Sequence, residues 1–405
     1  MKIQSFVISA LTGIVLGLGS NPSRAAKWEA KEMLREWVEI SSGTSNIEGV
    51  NLVQERVAAY LQELGFKVEY KPDPAGQTGK LLVANRAGKS SRKVTFVFHS
   101  DTVFETSSPF KGFKEDAATG RATGPGIIDE KGGIVVGLFA LRGFLAAQPE
   151  PKFGLQVVVS PSEETGSNSF HPDFERFSKE SFLILGFEPS LEDGSVIHSR
   201  RGNLWYEIKV KGREAHAGRA HKEGINACVE LAGIIDRISK LTDYSRDLTI
   251  SVGHIAGGQD KFNIVCGSAE AKVDLRFSDM RNRNLAKTRI ERELKQARIR
   301  AASDGKQAEI SFQIANDSKP FAKNPESVQV LQKILAEISR EEGRKVEAKP
   351  SGGSSDLNEF WRPGVAIVDG LGAVGGKMHT AEEYIELSSL NTRARALVHY
   401  LVKLQ

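Results

Sequence analysis

Three short apolar runs, Val94 to Phe98, Leu155 to Val159 and Phe182 to Leu185, each give way within a few residues to side chains able to carry chemistry. Runs this nearly continuous suit strands buried on both faces, the condition of a mainly parallel sheet covered by helices on either side. A helical pattern from Gly132 to Ala147 separates the first two, as a crossover between parallel strands requires. His99-Ser100-Asp101 follows the first run, Ser162-Glu163-Glu164 the second and Glu188-Pro189 the third. Open α/β sheets collect their sites at the carboxyl ends of parallel strands, so the spacing predicts one reactive edge.

From Asn203 the pattern changes to Leu204–Val210 (strand), Ile225–Leu241 (helix), Leu248–Ile255 (strand), Ala269–Phe277 (strand), Arg283–Ala302 (helix) and Gln307–Ile314 (strand). That β-α-β-β-α-β order predicts a split-βαβ, ferredoxin-like module inserted into the α/β domain. The outer domain then resumes with a helix over Pro325–Glu342, a loop at Gly352-Gly353-Ser354-Ser355-Asp356, a strand near Val365–Val368 and a helix over Leu387–Leu404. The chain is long enough for two cores. It divides into a leader (1–26), an outer domain in two parts (27–201 and 315–405) and the insertion (202–314).

In the leader, Lys2 precedes an apolar stretch, Ile3 to Leu18, and the segment Asn21-Pro22-Ser23-Arg24-Ala25-Ala26. This layout predicts a cleaved secretory signal and an exported protein, periplasmic or secreted. The competing reading is an uncleaved membrane anchor, because Ile3 to Gly19 approaches the ~17–25 residues that span a bilayer. The net charge of +4, without a long basic run, gives no electrostatic footprint for nucleic acid. Two cysteines, Cys228 and Cys266, imply neither a disulfide framework nor a Cys-rich zinc site, and are expected as small buried residues.

His99 and Asp101 share one side of an extended segment, so the imidazole can bind a metal while the carboxylate orients its other nitrogen. A solitary His-x-Asp is more often a turn feature. Asp129 lies in the glycine-rich stretch Gly124 to Gly133, where a helix N-cap and a ligand role are both open. Glu163 and Glu164 are harder to dismiss. Adjacent carboxylates repel one another unless a cation or a shared proton relieves them. One can coordinate a cation while its neighbour takes a proton from water. Glu188 and His379 are individually nonspecific; in combination with His99, Asp129, Glu163 and Glu164 they describe a metallohydrolase. An exported solute-binding protein, also a two-domain α/β design, is the alternative from another class, but it leaves the carboxylates and both histidines unexplained.

The chain resembles the cocatalytic dizinc metallopeptidases that include bacterial glutamate carboxypeptidase, succinyl-diaminopimelate desuccinylase, aminoacylase and related dipeptidases. The matching segments are His99-Ser100-Asp101-Thr102-Val103, Gly124 to Gly133, Ser162-Glu163-Glu164-Thr165-Gly166, Phe187-Glu188-Pro189, Gly212 to Gly218, Gly352 to Asp356 and Met378-His379, in the family's order. The resemblance implies a zinc-peptidase-like catalytic domain on a mainly parallel mixed sheet, with the βαββαβ insertion as lid and dimerisation domain. It also implies two Zn2+ per subunit, Co2+ or Mn2+ being suited to the same donors. Asp129 would bridge the two ions, with His99 and Glu188 on one and Glu164 and His379 on the other. Glu163 would be the general base and Asp101 would support the site from behind. His216 would reach a partner subunit's active site and stabilise the oxyanion, which implies a homodimer. Asn263, Arg276 and Gly353 would bind substrate, and the Asp129-Glu130 peptide would be cis. Arg200-Arg201 depart from the small polar residues expected there, and either add charge to the cleft or only solvate its hinge. The overall pattern is most similar to the glutamate carboxypeptidase branch, which implies hydrolysis of an amide next to a free carboxylate in a small peptide or N-acyl amino acid. An aminoacylase or dipeptidase with the same metal chemistry is the runner-up.

Overall fold

The computed structural model describes residues 29–405, so the expected leader lies outside the described residues. Among the described residues no helix is long and apolar enough to cross a membrane. The three apolar runs form the strands Lys93–His99, Gly154–Ser160 and Ser181–Gly186. They sit in a six-stranded sheet whose spatial order is Lys67–Lys71, Leu81–Arg86, Gly154–Ser160, Lys93–His99, Ser181–Gly186, Ala366–Val368. The first two pairings are antiparallel and the other three parallel.

Alternate side chains of these strands enter two different cores. Val94, Phe96, Phe98, Val157 and Leu185 face the helices Ile47–Glu63, Gly133–Ala147, Pro325–Glu342 and Leu387–Lys403. Val97, Val158 and Ile184 face Phe174 and Phe177 of the helix His171–Glu180. Each such side chain gains roughly 1.5–3 kcal/mol from burial. With both faces covered, a polar residue needs a buried partner, as Thr95 and Gln156 find in each other at 3.2 Å. The runs are almost wholly apolar for that reason, and charge returns only where the strands end.

The insertion comprises Gly202–Lys211, Ala227–Ser239, Leu248–Gly257, Ser268–Phe277, Met280–Leu294 and Glu309–Ser318, in the expected βαββαβ order. Its four strands are antiparallel, ordered Leu248–Gly257, Ser268–Phe277, Gly202–Lys211, Glu309–Ser318. Leu204, Tyr206, Ile208 and Val210 face inward onto Leu231, Ile234 and Ile290 of the two helices. Here one face is covered, and the sequence alternates accordingly.

Two expectations need correction. The second helix of the insertion ends at Leu294, not at Ala302. The buried carboxylate of Glu230 accepts the backbone N–H groups of Arg298 (2.7 Å) and Ile299 (2.6 Å) and takes them out of any helix. The cysteines are not separate buried residues: Cys228 and Cys266 form a disulfide. The fold brings the start of the Ala227–Ser239 helix to within bridging range of the segment before Ser268, with a Cα–Cα distance of 5.8 Å. Nothing local in the sequence signals that approach.

Candidate active site

The site forms where the parallel strands end. The Lys93–His99 strand delivers His99, the turn after Gly154–Ser160 delivers Glu163 and Glu164, and the segment after Ser181–Gly186 delivers Glu188. Asp129 arrives on an irregular turn before the Gly133–Ala147 helix. Gly126 there has φ +67°, and a Cβ on Gly133 would lie 2.1 Å from the Phe187 carbonyl oxygen, so neither position accepts a larger residue without displacement. Asp129 is not an N-cap, since the helix is preceded by Gly132 with no side-chain cap. The Asp129-Glu130 peptide is cis, as the resemblance implies. His379 occupies a tight turn between Gly375–Gly376 and Tyr384–Glu386, two short strands of a small sheet.

Asp129 is the hub. One carboxylate oxygen lies 3.1 Å from His99 Nε2 and the other 3.1 Å from His379 Nε2. His379 Nε2 is also 3.4 Å from Glu164, and His99 Nε2 is 3.9 Å from Glu188. Two sets of converging donor atoms result: His99, Glu130 and Glu188, and Asp129, Glu164 and His379. Glu163 stands outside both. It lines a cavity of about 10 Å³, room for roughly one water, together with His99, Glu130, Glu188, Ser355 and Asp356. Behind the donors, Asp101 is fully buried and accepts from Thr44 Oγ1 (2.7 Å), Glu163 N (3.0 Å) and Glu164 N (3.2 Å). Its backbone carbonyl lies 3.0 Å from His99 Nδ1, which leaves Nε2 to face the donors.

Crowding sets the electrostatics. Burial, then the charge of Glu188, pushes Glu163 well above the usual carboxylate range; burial, then Asp129, does the same to Glu164. Glu188 is raised to about 8, chiefly by burial, with Arg200 opposing and Asp129 adding. Burial alone would raise Asp129 too, but hydrogen bonds from His379 and His99 hold it well below its usual value. Burial disfavours the charged form of His99, yet Glu130, Asp101 and Asp129 together push the imidazole upward. Glu130 Oε1 and Glu164 Oε1 are buried without hydrogen-bond partners. Unsatisfied carboxylate oxygens beside two imidazole nitrogens fit a pair of divalent cations, which would relieve both the repulsion and the missing partners.

The model for Peptidase family M20/M25/M40 matches residues 95–403. The chain belongs to this family. It is 24% identical over 367 residues to carboxypeptidase G2 of a Pseudomonas species, covering 89% of this chain and 85% of that protein. It is 27% identical over 389 residues to the succinyl-diaminopimelate desuccinylase of Methylocella silvestris, covering 90% and 95%. In fold it is similar to a tripeptidase from Staphylococcus aureus (TM-score 0.74, 23% identity, 93% of this chain and 97% of that one). It is likewise similar to a metallo-carboxypeptidase from Sulfolobus solfataricus (TM-score 0.73, 17% identity, 92% and 98%). The protein is thus a hydrolase of the M20 family, whose members depend on two metal ions and act on small peptides or acyl amino acids.

Other expected residues of this M20 hydrolase fall into a second group. His216 is exposed on the insertion, and its Nδ1 accepts from Gly218 N and Arg219 N, both at 3.2 Å. Asn263 is beside it: the Ala217 N–H donates to the Asn263 carbonyl at 2.9 Å. Among the described residues, no hydrogen bond or ion pair joins these two residues to the carboxylate cluster of their own chain. Arg276 spans the cleft, with Nε 2.8 Å from Asp274 and Nη1 3.5 Å from Ser354 Oγ next to exposed Gly353. Arg200 does not merely solvate a hinge. It is buried in the cleft, with Nε 2.5 Å from Asp369, Nη2 3.7 Å from Glu188 and Nη1 3.4 Å from the Gly353 carbonyl oxygen. Arg201 instead pairs with Asp247 on the insertion.

Sequence reasoning missed two residues. Glu130 joins His99 in one donor set, and the argument applied to Glu163 and Glu164, adjacent carboxylates, holds for Asp129 and Glu130 as well. Glu383 is fully buried and accepts the amides of Ile128 (3.0 Å) and Asp129 (3.3 Å). Its place four residues after His379 carries no signal of its own.

Proposed function

We propose that this enzyme is an exported glutamate carboxypeptidase-like hydrolase that cleaves an amide bond next to a free carboxylate. His99 and Glu188 would hold one divalent cation, Glu164 and His379 a second, with Asp129 shared and zinc the preferred ion. Bound cations supply Lewis acidity toward water and the scissile carbonyl. The remaining work falls to the chain's own groups.

Glu163 accepts a proton from water at its carboxylate and returns it to the leaving nitrogen. Its position supports this: it shares the small cavity with His99 and Glu188 yet belongs to neither donor set. His216 donates to the oxyanion of the tetrahedral intermediate. With Nδ1 taken up as an acceptor, the neutral imidazole carries its proton on Nε2, the nitrogen left free to donate. Because no hydrogen bond or ion pair among the described residues joins His216 to its own chain's cluster, it would serve the site of a second subunit in a homodimer formed through the insertion. Arg276 and Asn263, with the backbone at Gly353, would receive the substrate carboxylate, for which a planar guanidinium is the natural partner. A disulfide within the insertion suits an oxidising compartment, which supports export.

The observation that carries this reading is Asp129 meeting two different imidazoles through its two oxygens while Glu163 stands apart. Glu163→Gln tests it. Turnover of N-acyl glutamates and dipeptides should fall at least about a thousandfold with the metal content of the protein unchanged. Substantial residual turnover removes Glu163 from the base role, and a parallel loss of metal would make it a ligand instead.

A further inference from the structure

His216 and Asn263 are presented by two segments with little else to hold them. Residues 258–263 are all exposed, Phe262 completely so, and between Gly258 and Gly267 only Val265 is buried. The segment leans on the chain around His216 through backbone hydrogen bonds. Val265 N donates to Ala215 O (2.9 Å), Ala217 N to Asn263 O (2.9 Å) and Gly212 N to Gly267 O (2.8 Å). His216 itself pairs with Ile264 as an isolated antiparallel bridge. Partly exposed hydrogen bonds of this kind open easily, and one buried valine is a weak anchor. The strand that precedes the segment, Leu248–Gly257, is an edge strand whose last residues are exposed, so it offers no stiff support.

Besides these contacts, an exposed hydrogen bond from Gln259 Nε2 to Glu214 (2.9 Å) and one from Gly258 N to Ser268 O (2.9 Å), the segment is held by a covalent link. Cys266 lies two residues from Ile264 and three from Asn263, and its sulfur is bonded to Cys228 at the start of the Ala227–Ser239 helix, whose inner face is packed in the insertion's core. The Cys266 carbonyl also accepts the Ala227 N–H at 2.9 Å, so the disulfide and this hydrogen bond tie the segment to the same helical turn. Asn226 caps that turn by accepting from Val229 N (3.1 Å), which fixes where Cys228 sits.

We propose that the Cys228–Cys266 disulfide is a positioning device for the substrate-facing pair His216 and Asn263, holding their two segments in register so that the oxidised enzyme is the efficient one. The proposal rests on the reading of His216 and Asn263 given above. A dithiol such as dithiothreitol would undo it by a two-electron exchange: the S–S bond opens to two thiols, and the reductant closes to its own cyclic disulfide. The metal-binding residues lie on other elements and keep their geometry.

The test is a mutant cycle on the full-length enzyme with metal bound, assayed well below the melting temperature. Cys228→Ser/Cys266→Ser should lower kcat/KM about tenfold, in line with the cost of small misplacements of reacting groups. Metal per chain should stay the same, and amide exchange at Ala217 and Val265 should quicken by at least about tenfold. In a His216→Ala/Asn263→Ala background the same pair of substitutions should cost less than about twofold more, because coupled groups are not additive. Should the cysteine variant fail to fold, wild-type enzyme that has been reduced, alkylated and freed of reductant is measured instead. A His216→Ala defect alongside wild-type kinetics and exchange in the cysteine variant overturns the proposal alone, as does an equal tenfold cost in both backgrounds. A His216→Ala enzyme with wild-type kcat/KM overturns the functional reading beneath it.

Discussion

Asp101→Asn tests how much of the site depends on a residue expected to touch no substrate. Three donors converge on the two Asp101 oxygens: Glu163 N on Oδ1, and Glu164 N and Thr44 Oγ1 on Oδ2. Asparagine is nearly isosteric but keeps one acceptor oxygen and brings two N–H groups. Whichever way the amide is turned, at least one backbone N–H faces another donor. Losing a hydrogen bond to a charged group costs about 1.5–3 kcal/mol, and a buried donor left unpaired adds about 1–3 kcal/mol, so the substitution should cost about 2.5–6 kcal/mol. Part of this appears in unfolding and part as slack in the turn that carries Glu163 and Glu164. If about 2 kcal/mol is felt in the reaction, kcat/KM falls about thirtyfold. Denaturant unfolding, metal analysis and steady-state kinetics on one preparation separate the two parts. Thr44→Val is the control: it removes a single hydroxyl donor to the same carboxylate and should cost about 1.5–3 kcal/mol with little kinetic effect. An Asp101→Asn enzyme with wild-type unfolding and wild-type kcat/KM would refute the argument that these amides are held by charge.

The pH behaviour of the metal-free protein follows from the raised carboxyls. A group whose folded pKa lies above its unfolded value contributes stability that is complete below the unfolded value, near 4.5 for a glutamate, and lost as pH rises through the folded value, about 8 for Glu188. Chelated protein should therefore lose melting temperature from pH 5 to pH 8, and the gain from added zinc should widen over the same window; a gain that shrinks with pH would contradict this. Asp129, held below its usual range, acts with the opposite sign but only at more acid pH. Arg276→Ala should raise KM about 30- to 160-fold for substrates with a free carboxylate, matching about 2–3 kcal/mol for a charge-assisted bond, and should leave the corresponding amide substrates unaffected. An equal loss for both substrate types would remove it from carboxylate recognition. Burial, followed by the charge of Asp129, raises the Glu383 carboxyl to about 8, so glutamine mimics its protonated form. Glu383→Gln should cost less than about 1 kcal/mol by denaturant unfolding, whereas Glu383→Ala, which strands two buried amides, should cost about 2–4 kcal/mol. Equal costs for the two would show that the carbonyl acceptor is not what matters.

What the sequence made legible was local. His99, Glu163 and Glu188 each fall within a few residues of a run that two-sided burial keeps apolar, so the end of the run is visible and the reactive side chain stands directly beyond it. The insertion was readable because a half-covered sheet alternates with period two and its helices do not. The helix end at Leu294 was not readable. Ala297 to Ala302 have good helical propensity, and a carboxylate from the other helix, Glu230, overrides it. The disulfide was equally invisible, since 38 residues separate its cysteines and only the packed fold brings them together. His379 sits between strands of two and three residues, too short to show a period, and only the family resemblance pointed to it.

A further pattern connects Asp101 with Glu130 and Glu383, the two residues that sequence reasoning missed. Three of the segments that deliver donors are held through their backbone amides by a buried carboxylate from elsewhere in the chain or from a neighbouring turn. Glu130 accepts the His99 N–H at 3.0 Å, Asp101 accepts those of Glu163 and Glu164, and Glu383 accepts those of Ile128 and Asp129. Backbone amides are the same whatever side chain they carry, so no motif marks the residues they hold. Ionised, these three carboxylates would add negative charge to a centre already crowded with it. At Glu383 a structural role alone would be served as well by glutamine, since both amides fall on one oxygen, whereas at Asp101 both oxygens are needed as acceptors. Negative charge becomes an advantage once cations occupy the donor sets, because a carboxylate behind a ligand then both fixes the ligand and adds to the attraction for the ions. On this argument the neutral variants Asp101→Asn and Glu383→Gln should weaken metal affinity more than their effect on the stability of the metal-free protein accounts for. Competition against a chromogenic chelator measures that difference directly. Affinities that fall only in step with stability would reduce both carboxylates to scaffolding.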